Sequence, residues 1–242
     1  MRKSFAAALI AASAATSACG QARSEDGGPT IAKNYQIGSF DRVEVSGPFD
    51  VQVRTGASPS VSARGPQKML DHMVVEVKDG ELVIRTERRK GLFDSGWHYR
   101  GDVDVTVTVP SLRGAAIAGS GGIKVNQVRG DAFKGSVAGS GGLEVGSLDV
   151  RRLELSVAGS GGVKAVNGRA QEASFDIAGS GDIDARNVQA QTASVSIAGS
   201  GNVAANATGT ASVSIMGSGD VEVTGGAKCS VSKAGSGNVS CS

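Results

Sequence analysis

The tripeptide Gly-Ser-Gly is the most conspicuous candidate for ligand chemistry in this sequence. Its first glycine lies at positions 119, 139, 159, 179, 199, 217 and 235. A phosphate-binding loop needs glycine amides at the start of a helix and a lysine that reaches the phosphates. Here the flanking residues alternate as strands do, and no Gly-Lys-Ser/Thr motif follows. The motif therefore does not indicate a phosphate site.

Calcium is the stronger alternative, because Gly-Ser-Gly-Asp-x-Asp at 179–184 partly resembles calcium-binding β-roll repeats. Such repeats need a carboxylate at the equivalent place in successive half-turns. The position after each tripeptide is occupied by Gly122, Gly142, Gly162, Asp182, Asn202, Asp220 and Asn238. Three of these supply no ligand, and Asp and Asn also suit turn geometry. We expect neither a metal site nor a cofactor.

Acidic residues could also support catalysis, as in polysaccharide-active β-helix enzymes. The residues that could line up across repeats are Asp182, Asp184, Asp220 and Glu222. Asn202 and Ala204 interrupt this row, so a solvated face is favoured over a carboxylate pair. The two histidines, His72 and His98, have no nucleophile motif nearby. We predict a non-enzyme, with a polysaccharide-active enzyme as the least favoured alternative.

The N-terminus is typical of an export signal. Cys19 is preceded by basic residues, an apolar run over 5–15 and small residues, in that order. The apolar run is too short to span a bilayer as a helix. The segment resembles a bacterial lipoprotein signal, which implies removal of 1–18 and lipidation of Cys19. Thr16 departs from the usual leucine, which leaves plain secretion as the alternative. Gly20 favours sorting to the outer membrane, and periplasmic or secreted protein is the other possible location.

The residues after Cys19 have no apolar period, and we predict a flexible tether over 19–37. Removal of the signal leaves 25 − 2 Lys and Arg against 23 Asp and Glu. This balance does not support nucleic-acid binding. A membrane is expected as a partner only through the lipid anchor.

The spacing of the tripeptides, 20 residues and then 18, is a solenoid signal. Two residues before the first glycine of most copies, and four after it, the residue is Ile, Val or Leu; in the copy at 199 these are Ile197 and Val203. Polar residues alternate with them, which is the period of a β-strand. We predict an all-β parallel β-helix, or β-solenoid, of 18- to 20-residue coils with two strands and a looser third side such as 187–191. Its interior should be too narrow for large rings.

The first half of the chain repeats the pattern less regularly. Alternating valines flank Gly47 at the same spacing, and a second pair of strands flanks the Asp79-Gly80 turn. A third alternating run ends at Pro110. We therefore predict one continuous domain over 38–242.

Cys229 and Cys241 remain as an even pair in an oxidising compartment. They lie six residues before and six after Gly235, in the inward columns of the last coil, so we predict a disulfide that closes it. Lys233 occupies an aliphatic column of earlier coils, as expected for a coil that ends the stack.

The segment 88–101 contains the only tryptophan and several basic residues. The favoured interpretation is a loop over an open edge or end of the solenoid. The sharper alternative is a recognition loop, formed by Trp97, His98 and Tyr99, for a protein or glycan partner at the envelope.

Together these motifs resemble the bacterial family of putative auto-transporter adhesins with a head GIN domain. The resemblance rests on the repeated Gly-Ser-Gly units, the leading FDRVEVSGPFDVQV, the VxVxVPSL segment and the closing cysteine pair, and covers about 40–241. It implies a β-solenoid in exported, often lipid-anchored proteins, and no catalytic residues. We expect a non-enzymatic envelope protein with an adhesive or envelope-interaction role. A structural or accessory envelope protein is the alternative.

Overall fold

The computed structural model describes residues 25–87, 99–100 and 102–242. The described strands in chain order are β1 (Glu25–Asp26), β2 (Thr30–Tyr35), β3 (Arg42–Ser46), β4 (Asp50–Thr55), β5 (Ser60–Pro66), β6 (Met73–Lys78), β7 (Glu81–Thr86), β8 (Tyr99–Arg100), β9 (Asp104–Val109), β10 (Gly114–Gly119), β11 (Gly122–Val125), β12 (Val128–Gly139), β13 (Gly142–Val145), β14 (Leu148–Gly159), β15 (Gly162–Ala165), β16 (Gly168–Gly179), β17 (Asp182–Gly199), β18 (Asn202–Gly217), β19 (Val221–Thr224), β20 (Lys228–Gly235) and β21 (Val239–Cys241). The one helix among these residues, α1, spans Gln67–Asp71.

The predicted parallel β-solenoid is confirmed. Each coil pairs in parallel with its neighbour at the predicted offset, so that Ile177 lies in register with Ile197, which lies in register with Ile215. These side chains are buried and form one column of a continuous core. A single coil could not bury them, because its apolar face is covered only by equivalent residues above and below.

Each coil has three faces. Face 1 contains the short strands after each Gly-Ser-Gly corner: β4, β11, β13, β15, the first residues of β17 and β18, then β19 and β21. Face 3 contains the strands that lead into each corner: β3, β10, the later parts of β12, β14, β16, β17 and β18, then β20. Face 2 lies between them.

Face 2 is more regular than the predicted looser third side. Residues 188–190 of β17 pair in register with 168–170 of β16. Val188 and Ala190 are buried, so this side also contributes apolar residues to the core. The change from 20- to 18-residue coils is absorbed here, through register shifts between Asp184 and Gln189 and between Ala190 and Thr192.

The core contains four phenylalanine rings, those of Phe40, Phe49, Phe133 and Phe175, so the expectation that large rings would not fit the interior was wrong. Phe133 and Phe175 are buried. Small residues make room for them: Gly135 lies two residues from Phe133, and a Cβ there would lie 2.7 Å from a Leu143 methyl group. Ala173 takes the place in its coil that Phe133 has two coils earlier. Large and small residues alternate so that the narrow interior stays filled.

The order of the first coils differs from chain order. The β3–β4 coil lies between β7 and β9 on one side and β10 and β11 on the other. Strands β2, β5 and β6 add antiparallel pairings at this end of the stack. Asp79 and Gly80 form the predicted turn between β6 and β7, both with positive φ.

The sheet begins earlier than predicted. Strand β2 pairs antiparallel with β5 over its whole length, so Thr30–Tyr35 belongs to the folded part rather than to a tether over 19–37. Antiparallel pairing satisfies the outer backbone groups of β5, and Ile31 and Tyr35 pack against the core. The domain therefore starts before residue 38.

Candidate functional site

The Gly-Ser-Gly corners are structural. The Ser200 amide donates to the Gly179 carbonyl at 2.8 Å, and the Ser218 amide donates to the Gly199 carbonyl at the same distance. These amides are therefore occupied by bonds between coils and do not form an anion cradle. The serine side chains point outward as a row that includes Ser180, Ser200 and Ser218.

The Asp and Asn residues after the corners form a ladder of hydrogen bonds. Asn202 donates through its Nδ2 atom to the Asp182 carboxylate at 2.8 Å, and the Asp220 amide donates to Asn202 Oδ1 at 3.2 Å. The Asn238 amide donates to Asp220 Oδ1 at 2.8 Å. Charged and neutral residues alternate along this ladder, which avoids stacking carboxylates on each other. The ladder therefore ties successive coils together.

Among the other residues considered for catalysis or metal binding, Asp184 and Glu222 line one groove on face 1, with Ala204 in register between them. Asp184 accepts a hydrogen bond from Arg186 Nε at 2.8 Å. His72 Nδ1 lies 3.5 Å from Glu87 Oε2, beside α1 near the first coils. In the described ranges, no three His, Cys, Asp or Glu side chains are grouped closely enough to bind a metal ion.

Charged residues around face 2 pair between coils twenty residues apart. Arg169 donates through Nε and Nη2 to the Asp149 carboxylate at 2.9 Å, and Arg151 pairs with Asp131. Hydrogen bonds from these arginines lower the pKa of Asp149 and the pKa of Asp131. Both pairs are solvent-exposed, so they bias the register of neighbouring coils more than they stabilise the fold.

A surface free of charge lies on face 3 in the last three coils. We call it the hydroxyl face; it consists of Ser194, Ser196, Ala198, Ser212, Ser214, Met216, Ser230, Ser232 and Ala234. All are exposed, and the Met216 side chain, at 70 % exposure, stands where neighbouring coils have alanine. The sequence analysis did not predict this surface, because it concentrated on the corners; the signal was a pair of serines, spaced two residues apart, before each of the last three corners.

The C-terminal end of the solenoid is closed by a disulfide between Cys229 and Cys241, as predicted. Both cysteines continue inward columns, since they align with Ala211 and Val223. They are less buried than those residues because no further coil covers them. Lys233 donates through Nζ to the Gly237 carbonyl at 2.7 Å across the end of the coil, which supports its predicted role as a cap.

Two predicted features fall largely outside the described residues. Cys19 and the signal lie there, as do Trp97 and His98. Tyr99 begins the two-residue strand β8, which pairs in parallel with β1. Over the residues that the structure describes, no helix combines the length and apolar character needed to cross a membrane.

Several solved structures have the same fold. A putative adhesin from Bacteroides fragilis is 24 % identical, with a TM-score of 0.80 over 88 % of this chain and 97 % of its own. A putative adhesin from Parabacteroides merdae is 20 % identical, with a TM-score of 0.69 over 90 % and 98 %. A putative lipid binding protein from Parabacteroides distasonis is 26 % identical, with a TM-score of 0.73 over 91 % and 100 %.

No curated protein matches the sequence. The family model described as putative auto-transporter adhesin, head GIN domain, matches residues 39–227. That range includes the Gly-Ser-Gly corners from 119 to 217 and the coils between them. On this match the chain belongs to the family of putative auto-transporter adhesins with a head GIN domain.

Proposed function

We propose that this protein is an exported, lipid-anchored, non-enzymatic envelope protein that makes adhesin-like contacts through its hydroxyl face. The names of the family and of its structural relatives support a contact role at the envelope. The observation that carries the proposal is the uncharged array of serines around an exposed methionine on a parallel β-sheet.

The chemistry of the hydroxyl face suits an uncharged partner. Serine hydroxyls donate and accept hydrogen bonds, and in adjacent coils they recur about every 4.8 Å. Met216 adds a flexible, polarisable apolar group at the centre of one row. A glycan offers both hydroxyls and apolar ring faces to such a surface, and a neutral protein surface is the other candidate partner.

Binding of the purified protein to isolated envelopes tests this proposal. We expect saturable binding that is lost when periodate oxidises the envelope glycans and that survives protease treatment of the envelopes. Loss on protease treatment alone would identify a protein partner instead. Absence of saturable binding to any envelope fraction would overturn the adhesive role and favour the structural or accessory alternative.

The anchor is tested separately. We propose that Cys19 carries lipid in the outer membrane, with the described domain joined to it by the residues between Cys19 and β2. The variant Cys19→Ser should move the protein from the membrane fraction to the soluble exported fraction. Retention of this variant in the membrane fraction would contradict lipid anchoring.

The aromatic segment remains a second candidate contact site. We propose that Trp97, His98 and Tyr99 form a recognition loop, and we expect envelope binding to depend on the aromatic rings of Trp97 and Tyr99. Envelope binding that persists after Trp97→Ala and Tyr99→Ala together would remove this loop from the contact surface.

A further inference from the structure

Face 1 carries a row of charges whose signs alternate from coil to coil. In register along the stack, the row reads Lys124, Glu144, Lys164 and Asp184. Lys124, Glu144 and Lys164 are exposed, and Asp184 is partly exposed. When the same row is reversed, each positive residue lies opposite a negative one, and each negative residue lies opposite a positive one. The row is therefore complementary to its own reverse.

These charges differ from the paired charges around face 2. In the part of the chain that the structure describes, the side chains of Lys124, Glu144 and Lys164 form no hydrogen bond or ion pair. Asp184 is paired with Arg186 through its Oδ1 atom, and its Oδ2 atom accepts no hydrogen bond from a described residue. The row thus retains charges that a partner could pair.

The surface beside the row is open to close approach. Glycines occupy the neighbouring outward column, and with the row they line a groove of about 590 Å³. A Cβ on Gly142 would have no atom within 4 Å, and its φ lies outside the positive range. Neither stacking nor backbone conformation therefore requires glycine at 142. The missing side chains leave the charged row as the most prominent part of face 1.

We propose that face 1 docks against face 1 of a second copy of this chain, with the two solenoid axes antiparallel. A two-fold axis along the strand direction, midway between the coils of Glu144 and Lys164, brings each row against its own reverse. Lys124 then faces Asp184 of the second copy, and Glu144 faces Lys164. The symmetry repeats both contacts, which gives four oppositely charged contacts in total.

The columns beside the row are compatible with this arrangement. Gly142 faces Gly162 of the second copy across the axis, so the backbones can approach there. Asp50 faces Asn202. The like-charged approach of Asp104 to Asp220 falls at the ends of the overlap, in solvent, where salt screens it.

Sedimentation of the mature chain carrying Cys19→Ser, which removes the predicted lipid, tests the proposal. We expect a dimer at low ionic strength that dissociates as salt is added. Lys164→Glu or Glu144→Lys alone creates two like-charged contacts and should weaken dimerisation by about tenfold or more. Lys228→Glu, the same charge reversal on face 3, should leave dimerisation unchanged.

Mixing the two variants gives the most specific result. Lys164→Glu and Glu144→Lys should each be monomeric and should form a heterodimer together, because the mixed pair restores both oppositely charged contacts. The double variant should dimerise like the parent. A parent that stays monomeric at low salt, single reversals without effect, or a mixture that stays monomeric would each overturn the proposal. The result is independent of envelope binding, which is measured separately.

Discussion

Gly199 lies directly above Gly179, and a Cβ on Gly199 would overlap the Gly179 carbonyl oxygen. Its φ is 137°, a conformation that other residues rarely adopt. The corner therefore requires glycine for two reasons: the positive φ of the backbone and the short distance between coils. The repeated tripeptide is explained by this stacking rather than by a ligand.

Replacement of Gly199 by alanine should destabilise the protein. Forcing φ into the positive region costs about 1–3 kcal/mol, and the overlap with Gly179 adds to it. Gly142→Ala is the matched control, since its Cβ enters open space within one chain; at a salt concentration that dissociates the proposed dimer it should change the free energy of unfolding by less than about 0.5 kcal/mol. Thermal unfolding of both variants checks this. Equal destabilisation by the two substitutions would contradict the steric explanation.

The core column should tolerate truncation poorly. Ile197 is buried between Ile177 and Ile215, so Ile197→Ala should lower the free energy of unfolding by about 2–5 kcal/mol. Ser196 is the adjacent outward residue, and Ser196→Ala should have almost no effect. Denaturant unfolding provides the measurement. A small effect at Ile197 would mean that the interior is not packed as described.

The disulfide should protect the end of the stack. Replacing Cys229 and Cys241 by serine should cost about 3 kcal/mol if the last coil unfolds together with the rest. If the last coil opens by itself, hydrogen exchange should become faster in β20 and β21 while β14 remains protected. Unchanged exchange in β20 and β21 together with an unchanged unfolding midpoint would show that the bond does not stabilise this end.

Acid should weaken the ion pairs around face 2. The pKa of Asp149 is lower in the folded protein because Arg169 donates hydrogen bonds to the carboxylate. The pair therefore stabilises the fold above about pH 4, the usual range for an unfolded Asp, and this contribution is lost as the pH falls through the lower folded value. Asp149→Asn should flatten the dependence of the unfolding midpoint on pH in that range. An identical pH dependence in the variant would show that the pair makes no contribution.

The fold was predictable because one pattern governs most of the chain. Each inward column is repeated with small variation. The offset between copies was enough to predict that the residues at 177, 197 and 215 align. The disulfide followed from the same columns. The order of the first coils could not be predicted, because nothing in the β3 sequence indicates that later residues pack on both of its edges.

The candidate surfaces were harder to predict for a different reason. A strand sequence shows which residues point outward. Whether a row of outward residues can bind a partner depends on which of their side chains are already paired with neighbouring coils. Lys134 and Lys164 are both exposed lysines on strands, yet only Lys134 has an ionic partner one coil away. Phe175 lies two residues from Ala173 in its own coil, and these two residues stack on Leu155 and Leu153 of the preceding coil, a relationship that appears only when coils are stacked in register.

The hydroxyl face is tested most directly by placing a charge in it. Ser214→Arg puts a cation at its centre without touching the core, and Gln189→Arg makes an equivalent change at an exposed position of face 2. In quantitative binding to isolated envelopes, Ser214→Arg should reduce affinity by about tenfold or more, as expected at the centre of a contact, while Gln189→Arg should bind like the parent. Equal binding by the parent and both variants would contradict a contact role for this face.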